Sequence, residues 1–348
     1  MKFRSFTFNS NMLSALLIML TLLSCNKKDI KEGEEDPNRP KIGLVLGGGG
    51  AKCSTQIGVL RELEKMGIKI DCIAGSSMGA VIGSLYAAGY TPDEIEDFML
   101  HEKWMKIFDK DSINKWKLFT DNSENSYHWS GLIRRPYFRD SLYSKMEQKN
   151  CRVFEKLKIP FCCTATWVSE YDDSLYIFNK GVVANAVTAS MSHPIYATPW
   201  YHEGMALYDG GIVNNLPIDV VREMSPKPDF IIAIDVENDS NILNNEVPVD
   251  ELISIVSSVT NLSILELLPM LLHKIPYIAP IMNWVDSRPD EELRHGFIKE
   301  AETDNSLIYI HVNLDGCDIS DFNRCEYMIQ EGENAVKEHQ TELKKISK

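Results

Sequence analysis

A short apolar run that ends in four glycines does most to limit what this chain can become. Ile42 to Leu46 carries no polar side chain, and Gly47 to Gly50 follow it directly. A run of that length without alternation fits a strand buried on both faces, as in a parallel sheet whose crossovers cover both sides. The pattern then repeats. Ile57, Leu60 and Leu63 give one apolar side to a helix that Gly67 stops. Lys69 to Ala74 reads as a second strand. Gly75-Ser76-Ser77-Met78-Gly79 follows it and opens a helix running to about Ala88, with Gly89 just past its end. Gly79, Ala80, Gly83 and Ala87 keep that helix thin enough to lie close on a sheet. Thr91, Pro92 and Glu94 form the start of another helix, with Thr91 as N-cap and Glu94 closing a capping box. Further strands are expected at Ile159–Val168, Phe230–Val236 and Leu307–Leu314, with a short one ending at Tyr208. Helices are expected at Val182–Met191 and Asp321–Glu338. Residues 101–150 are aromatic and polar without clear period. Strand and helix alternate from 41 to 240, which predicts a largely parallel α/β sheet covered on both faces.

The 348 residues, 44% hydrophobic and 25% charged, can bury a full core without metal or disulfide staples. A formal charge of −14 excludes nucleic acid as a partner, because phosphate binding needs clustered Lys and Arg. It also gives no electrostatic help toward anionic lipid. The eight cysteines show neither a disulfide framework nor zinc-ligand spacing. Cys162 and Cys163, adjacent on a strand, are expected to point to opposite faces.

The N-terminus offers its own membrane attachment. Lys2 and Arg4 precede the apolar stretch Met12–Leu23, which is too short for a membrane span and fits a signal peptide over residues 1–24. Leu22-Leu23-Ser24-Cys25 resembles the lipobox of bacterial lipoproteins, which implies cleavage before Cys25 and lipid attachment to its sulfur. An ordinary signal peptide with a chance cysteine is the alternative. Residues 25–40 are polar and read as a tether, which leaves 41–348 as the folded domain. The expected location is outside the cytoplasm, anchored to a bacterial outer membrane or cell surface. The apolar segment at 251–284 is interrupted by Glu266, His273 and Lys274. It reads either as core-packed helices or as an apolar lid over an acyl groove.

Two glycine loops carry the chemistry. Gly75-Ser76-Ser77-Met78-Gly79 has the form G-x-S-x-G, in which a sharp strand-to-helix turn exposes a serine hydroxyl. A chain of this length gives on the order of 0.1 such matches by chance, and here a strand precedes and a helix follows. Ser77 then sits at a helix N-terminus, where free N–H groups favour developing negative charge. Gly47 to Gly50 fail as a dinucleotide fingerprint and as a P-loop, because Cys53 stands where each motif needs another residue. Their N–H groups suit an oxyanion hole, and a βαβ unit brings them near Ser77. Asp209-Gly210-Gly211 is open to two readings: a carboxylate base whose pKa burial raises, or a hairpin turn. His193, His202, His273, His295 and His311 follow Ser77 in an order nominally compatible with an α/β-hydrolase, but none has a recognisable catalytic context.

Taken together, GGGGAK at 47–52, IGVL at 57–60, GSSMG at 75–79, ASMSHPIY at 189–196, YDGGIVNNLPI at 208–218, IIAIDV at 231–236 and DFNRCEYMIQEGENAV at 321–336 resemble the patatin-like phospholipase family. The resemblance implies a three-layer α/β/α sandwich with a mainly parallel central sheet, and hydrolysis of fatty-acyl esters of phospholipids or related lipids. It implies Ser77 as nucleophile with Asp209 as its base, and Gly48, Gly49, Gly50 and Lys52 at the oxyanion loop. Gly75 and Gly79 then flank the elbow, and Gly210 and Gly211 complete the motif at Asp209. No metal or other cofactor is implied. Two positions depart from the pattern: Cys53 stands where glycine is usual, and Gln56 where histidine is common. If residue 53 needed positive φ, the loop would be strained by about 1 kcal/mol or more, and a lipid-binding protein without catalysis would be the alternative. Cys53 at a helix start is also a candidate for a lowered thiol pKa.

Overall fold

The computed structural model describes residues 39–101, 135–168, 173–193, 197, 199–237, 289–319 and 321–347. The expected signal peptide, Cys25 with nearly all of its tether, and the 251–284 segment lie outside them.

The expected strand–helix alternation folds around one sheet. Its strands are β1 (Ile42–Leu46), β2 (Cys72–Gly75), β3 (Phe161–Val168), β4 (Asp173–Phe178), β5 (Trp200–His202), β6 (Met205–Asp209), β7 (Phe230–Asp235) and β8 (Leu307–His311). The order is β5-β6-β3-β2-β1-β7-β8, with β4 also on β3. The pairings β1–β2, β1–β7, β2–β3 and β7–β8 are parallel, and β3–β4, β3–β6 and β5–β6 are antiparallel. The antiparallel corner is not signalled by the strand–helix alternation of the sequence. Its β5–β6 hairpin turns at Glu203-Gly204, both with positive φ (50° and 81°), which is the backbone twist a two-residue hairpin needs.

Both sheet faces are covered. Leu44, Leu46, Ile73 and Cys163 enter one core, while Val45, Cys72, Ala74 and Cys162 enter the other. This is the period-two alternation of a strand buried on both sides, and it sends Cys162 and Cys163 opposite ways as expected. The larger core is roofed by α1 (Ser54–Lys65), α2 (Ser77–Ala88), α3 (Pro92–His101), α4 (Arg135–Gln148), α5 (Val183–Ser190) and α8 (Cys325–Glu338). The smaller is closed by α6 (Ile218–Arg222) and α7 (Pro289–Ala301). A short α9 (Gln340–Ile346) ends the described chain. Helix α4 buries Phe138, Leu142 and Met146. Those three residues form a one-sided stripe four apart, too sparse to stand out among the polar residues between them.

Local signals behave as their chemistry demands. Thr91 N–H donates to Glu94 Oε2 at 2.8 Å and Glu94 N–H to Thr91 Oγ1 at 3.2 Å, the reciprocal capping box. Helices α1 and α8 cross at backbone contact: a Cβ on Gly58 would lie 2.0 Å from Ile329 O, and one on Gly332 would lie 1.9 Å from Thr55 O. Cys53, Cys72, Cys151, Cys162, Cys163, Cys317 and Cys325 are all buried free thiols. Among the described residues no helix is long and apolar enough to cross a membrane, and no group of three or more His, Cys, Asp or Glu is placed to hold a metal.

Candidate functional site

Strand pairing brings the site together. Cys163 of β3 pairs with Gly75 of β2 on one side and Phe178 of β4 on the other. Ala165 pairs with Asp209 of β6 and Tyr176 of β4. Strands β2 and β6 therefore meet the same edge of β3, one parallel and one antiparallel, and their C-terminal ends converge two residues apart on it. Two residues of strand amount to about 7 Å, a gap that short side chains reaching from either end can close.

At the end of β2 the chain turns sharply. Ser76 is extended (φ −123°, ψ 142°) and Ser77 has φ 51°, left-handed backbone that side chains other than glycine rarely adopt. The turn is held from several sides. Ser76 N–H donates to Leu46 O at 3.1 Å, and Ser77 N–H donates to Ser190 Oγ at 2.9 Å. Helix α2 can pass directly beneath the end of β1 because position 79 is glycine: a Cβ there would lie 2.2 Å from Leu46 O. At the neighbouring Gly75, a Cβ would lie 2.8 Å from Ala80 Cα.

The hydroxyl so presented donates to Asp209 Oδ2 at 2.7 Å. Gly211 N–H donates to the other oxygen, Oδ1, at 2.8 Å. The hairpin reading of Asp209-Gly210 is not what the structure contains; the residues after Asp209 form a 3₁₀ turn, Gly210–Ile212. Asp209 is 3% exposed. Burial pushes its carboxyl up to about 7, against the downward pull of Gly211 N–H and the Ser77 hydroxyl. A carboxylate in that range takes a proton near neutral pH. Among the described residues no histidine hydrogen-bonds to Ser77 or Asp209. His193 is half-buried, and desolvation holds it down to about 4. The His202 ring stands against those of Tyr176 and Phe178, and His311 lies 3.3 Å from Asp235.

The first glycine loop lies beside Ser77: a Cβ on Gly48 would be 2.8 Å from Ser77 Cβ. The positive φ values fall at Gly49 (153°) and Gly50 (57°). Residue 53 has φ −62°, so a cysteine is unstrained there. Its thiol donates to Gly47 O at 3.3 Å, and burial raises its pKa, so it is a packed thiol and not a reactive one. Gln56 is also buried and donates to the same carbonyl at 2.7 Å. Not every N–H of the loop faces an open space. Gly48 N–H is used by Asn215, at 3.1 Å to Oδ1 and 3.3 Å to the main-chain oxygen. Ala51 N–H is used by Ile319 O at 2.7 Å, and Lys52 N–H by Gly49 O at 3.2 Å. Among the described residues nothing accepts from the N–H groups of Gly49 and Gly50. Lys52 itself is 8% exposed.

Two contacts of the site were not singled out from the sequence: Ser190 beneath Ser77, and Asn215 against Gly48. Neither carries a periodicity or spacing signal; each reaches the site only through the pairing of distant segments. Behind Asn215 lies a buried ionic cluster. Asp235 accepts from Arg294 Nε at 2.7 Å and from Tyr309 OH at 2.5 Å. Burial alone would raise its carboxyl, but the His311 hydrogen bond, the Arg294 charge and Tyr309 hold it down to about 2. A cavity of about 590 Å³ lined by Phe154, Pro160, Phe161, Cys162 and Met224 lies at the entry end of β3, whereas Ser77 follows the exit end of its parallel neighbour β2, so the cavity is separate from the site.

Comparison with known proteins finds similarity along part of the chain. The family model described as patatin-like phospholipase matches residues 44–222. The patatin-like phospholipase domain-containing protein ZK370.4 of Caenorhabditis elegans is 34% identical over 197 residues, 56% of this chain and 13% of that protein. Lysophospholipase NTE1 of Meyerozyma guilliermondii is 30% identical over 216 residues, 62% of this chain and 14% of that protein. The chain thus matches only 13–14% of the length of these relatives. Among solved structures, the type III effector protein ExoU aligns over 88% of this chain and 54% of its own, with 12% identity and a TM-score of 0.45.

Proposed function

Because this chain belongs to the patatin-like phospholipase family, we propose that it is a serine acyl hydrolase cleaving fatty-acyl esters of phospholipids or related lipids through Ser77 and Asp209. The observation that carries this reading is the 2.7 Å contact between the two side chains, with the Asp209 carboxyl raised by burial to about 7. Asp209 takes the Ser77 proton as Oγ bonds to the ester carbonyl carbon. The carbonyl oxygen gains the negative charge, and Gly49 and Gly50 supply the N–H groups that meet it. Gly48 contributes closeness instead of a donor, since its own N–H is engaged by Asn215. The tetrahedral species collapses by breaking the bond to the alcohol oxygen, which receives the proton from Asp209. Water, deprotonated by the same carboxylate, then attacks the acyl-enzyme; the bond to Ser77 Oγ breaks, Oγ takes the proton back from Asp209, and the fatty acid leaves. Lys52 stays part of this reading as a buried cation in the turn after the glycines. Export and lipid attachment at Cys25, with residues 25–40 as tether, complete the proposal and put the enzyme on a bacterial membrane surface.

The test is turnover of a short p-nitrophenyl ester, with fluorophosphonate labelling, in the wild type and in Ser77→Ala. Hydrolysis and labelling that both vanish in the variant are expected. A variant that still turns over the ester would remove Ser77 from the mechanism.

A further inference from the structure

We propose that Asn215 is the positioning residue that keeps the glycine loop aimed for catalysis, by holding the peptide group between Gly48 and Gly49. The proposal rests on the acyl-hydrolase reading of the same site. Asn215 meets Gly48 on both of its polar groups. Its Oδ1 accepts Gly48 N–H at 3.1 Å, and its Nδ2 donates to Gly48 O at 3.4 Å. The carbonyl of Gly48 and the N–H of Gly49 belong to one planar trans peptide and point in opposite directions. Holding the carbonyl toward Asn215 therefore fixes the direction of the Gly49 N–H, one of the two loop donors that no described residue engages.

The loop needs such a latch. Gly49 and Gly50 have φ values of 153° and 57°, and without a Cβ the peptide between Gly48 and Gly49 can rotate to other orientations with little steric resistance. No regular secondary structure holds it, since β1 ends at Leu46 and the 3₁₀ turn begins at Gly50. The amide oxygen of Asn215 fits a slot that only glycines leave open. A Cβ on Gly48 would lie 2.5 Å from Oδ1, and one on Gly211 would lie 2.7 Å from it and 3.2 Å from Asp209 Oδ1. One side chain thus touches both the oxyanion loop and the segment that hydrogen-bonds Asp209.

The latch is itself anchored. Asn215 Nδ2 donates to Glu237 Oε1 at 2.9 Å. Glu237 N–H donates to Asp235 Oδ1 at 3.0 Å, and Asp235 is gripped by Arg294 and Tyr309. The chain of bonds joins the loop to β7, α7 and β8. The preceding Asn214 turns elsewhere, to Asp219 Oδ1 at 2.8 Å, so the pair of asparagines divides two tasks. Position 215 requires an acceptor for Gly48 N–H and a donor for Gly48 O and Glu237 on one short side chain. An amide supplies both, whereas a carboxylate supplies acceptors only and sets a second negative charge beside Glu237.

The experiment compares the full chain as wild type, Asn215→Leu, Asn215→Asp and Ser77→Ala. Three quantities are measured: p-nitrophenyl butyrate turnover, inhibition by a trifluoromethyl ketone that forms an oxyanion adduct with serine, and melting temperature. Each Asn215 variant should lose about 10–100-fold in kcat, with KM changed by less than about twofold and the inhibition constant weakened by a factor similar to that in kcat. A partly unfolded population would lower kcat but leave the inhibition constant unchanged, so that result counts against the proposal. Asn215→Asp, nearly the same size and shape as wild type, carries the test if the leucine variant does not fold. Ser77-independent or absent turnover in the wild type would sink the acyl-hydrolase reading itself. Asn215 variants equal to an active wild type in kcat and in inhibition would sink this assignment alone.

Discussion

Replacing Asp209 by asparagine separates what the carboxylate does for chemistry from what it does to stability. The side chain is buried, and its pKa moves from 3.8 to about 7. At about 1.4 kcal/mol per pH unit, that gap makes the ionised form about 4 kcal/mol less favourable in the folded protein than in the unfolded chain. The sign follows from proton counting. Between pH 3.8 and about 7 the unfolded chain has released the proton that the folded protein still holds, so stability falls as pH rises through that window and levels off above it. Asparagine has the shape of the neutral acid. It can accept from Gly211 N–H through its oxygen and donate to Ser77 Oγ through its nitrogen. Asp209→Asn should therefore be nearly as stable as wild type at pH 4, and more stable by about 4 kcal/mol at pH 8. Urea unfolding at the two pH values reads this directly. Activity should move the other way. The wild-type kcat/KM should rise with unit slope up to about pH 7 and then plateau, while the variant loses about 10²–10⁴-fold on that plateau, a gap that narrows as pH falls below it. A stability gain that does not grow with pH, or a variant that still hydrolyses esters, would refute the claim that Asp209 is a buried base held near neutrality.

Arg294→Met should destabilise the fold by about 3–5 kcal/mol at neutral pH, because it leaves the Asp235 charge buried without its cation. Asp235 is held down from 3.8 to about 2, so its contribution is complete above about pH 4 and is lost as pH falls toward 2. The effect of the substitution should shrink over that acid window, and a pH-independent loss in thermal melts would argue against an ionic role. Cys25→Ser should abolish incorporation of labelled palmitate and release the chain from the membrane fraction. A serine variant that is still labelled would place the lipid elsewhere or exclude it.

What the sequence determined by itself is local. Strand β1 was legible because its residues are apolar on both faces, and the elbow because its glycines and Ser77 form a turn between a strand and a helix. The capping box at Thr91 and Glu94 was legible because its two partners are three residues apart. The strand pattern runs a few residues past the pairing, as at Lys69 against Cys72 and at Leu314 against His311, because apolar character outlasts hydrogen-bonded pairing. Helices α4, α6, α7 and α9 and strands β4 and β5 escape a reading of the sequence, since they are either short or sparsely apolar and gain meaning only against the cores they cover. The concern over Cys53 was of the same kind. A missing glycine suggests strain, but the positive φ values lie at Gly49 and Gly50, and only the folded backbone shows that.

Tertiary structure decided which carboxylate meets the serine. Apart from the family resemblance, the residues around Asp209 are as consistent with a hairpin as with a base. Asp209 reaches Ser77 across 132 positions because β2 and β6 end against neighbouring residues of one edge of β3. Pairing at that distance depends on register, which is set by the whole sheet and leaves no short-range mark. The same holds for Asn215 and Gly48, 167 positions apart. Side-chain type and local turn can say that a hydroxyl is exposed and that amides are unhindered. Only the packed sheet determines which amides remain unclaimed, and how far burial lifts the pKa of the acid beside the hydroxyl.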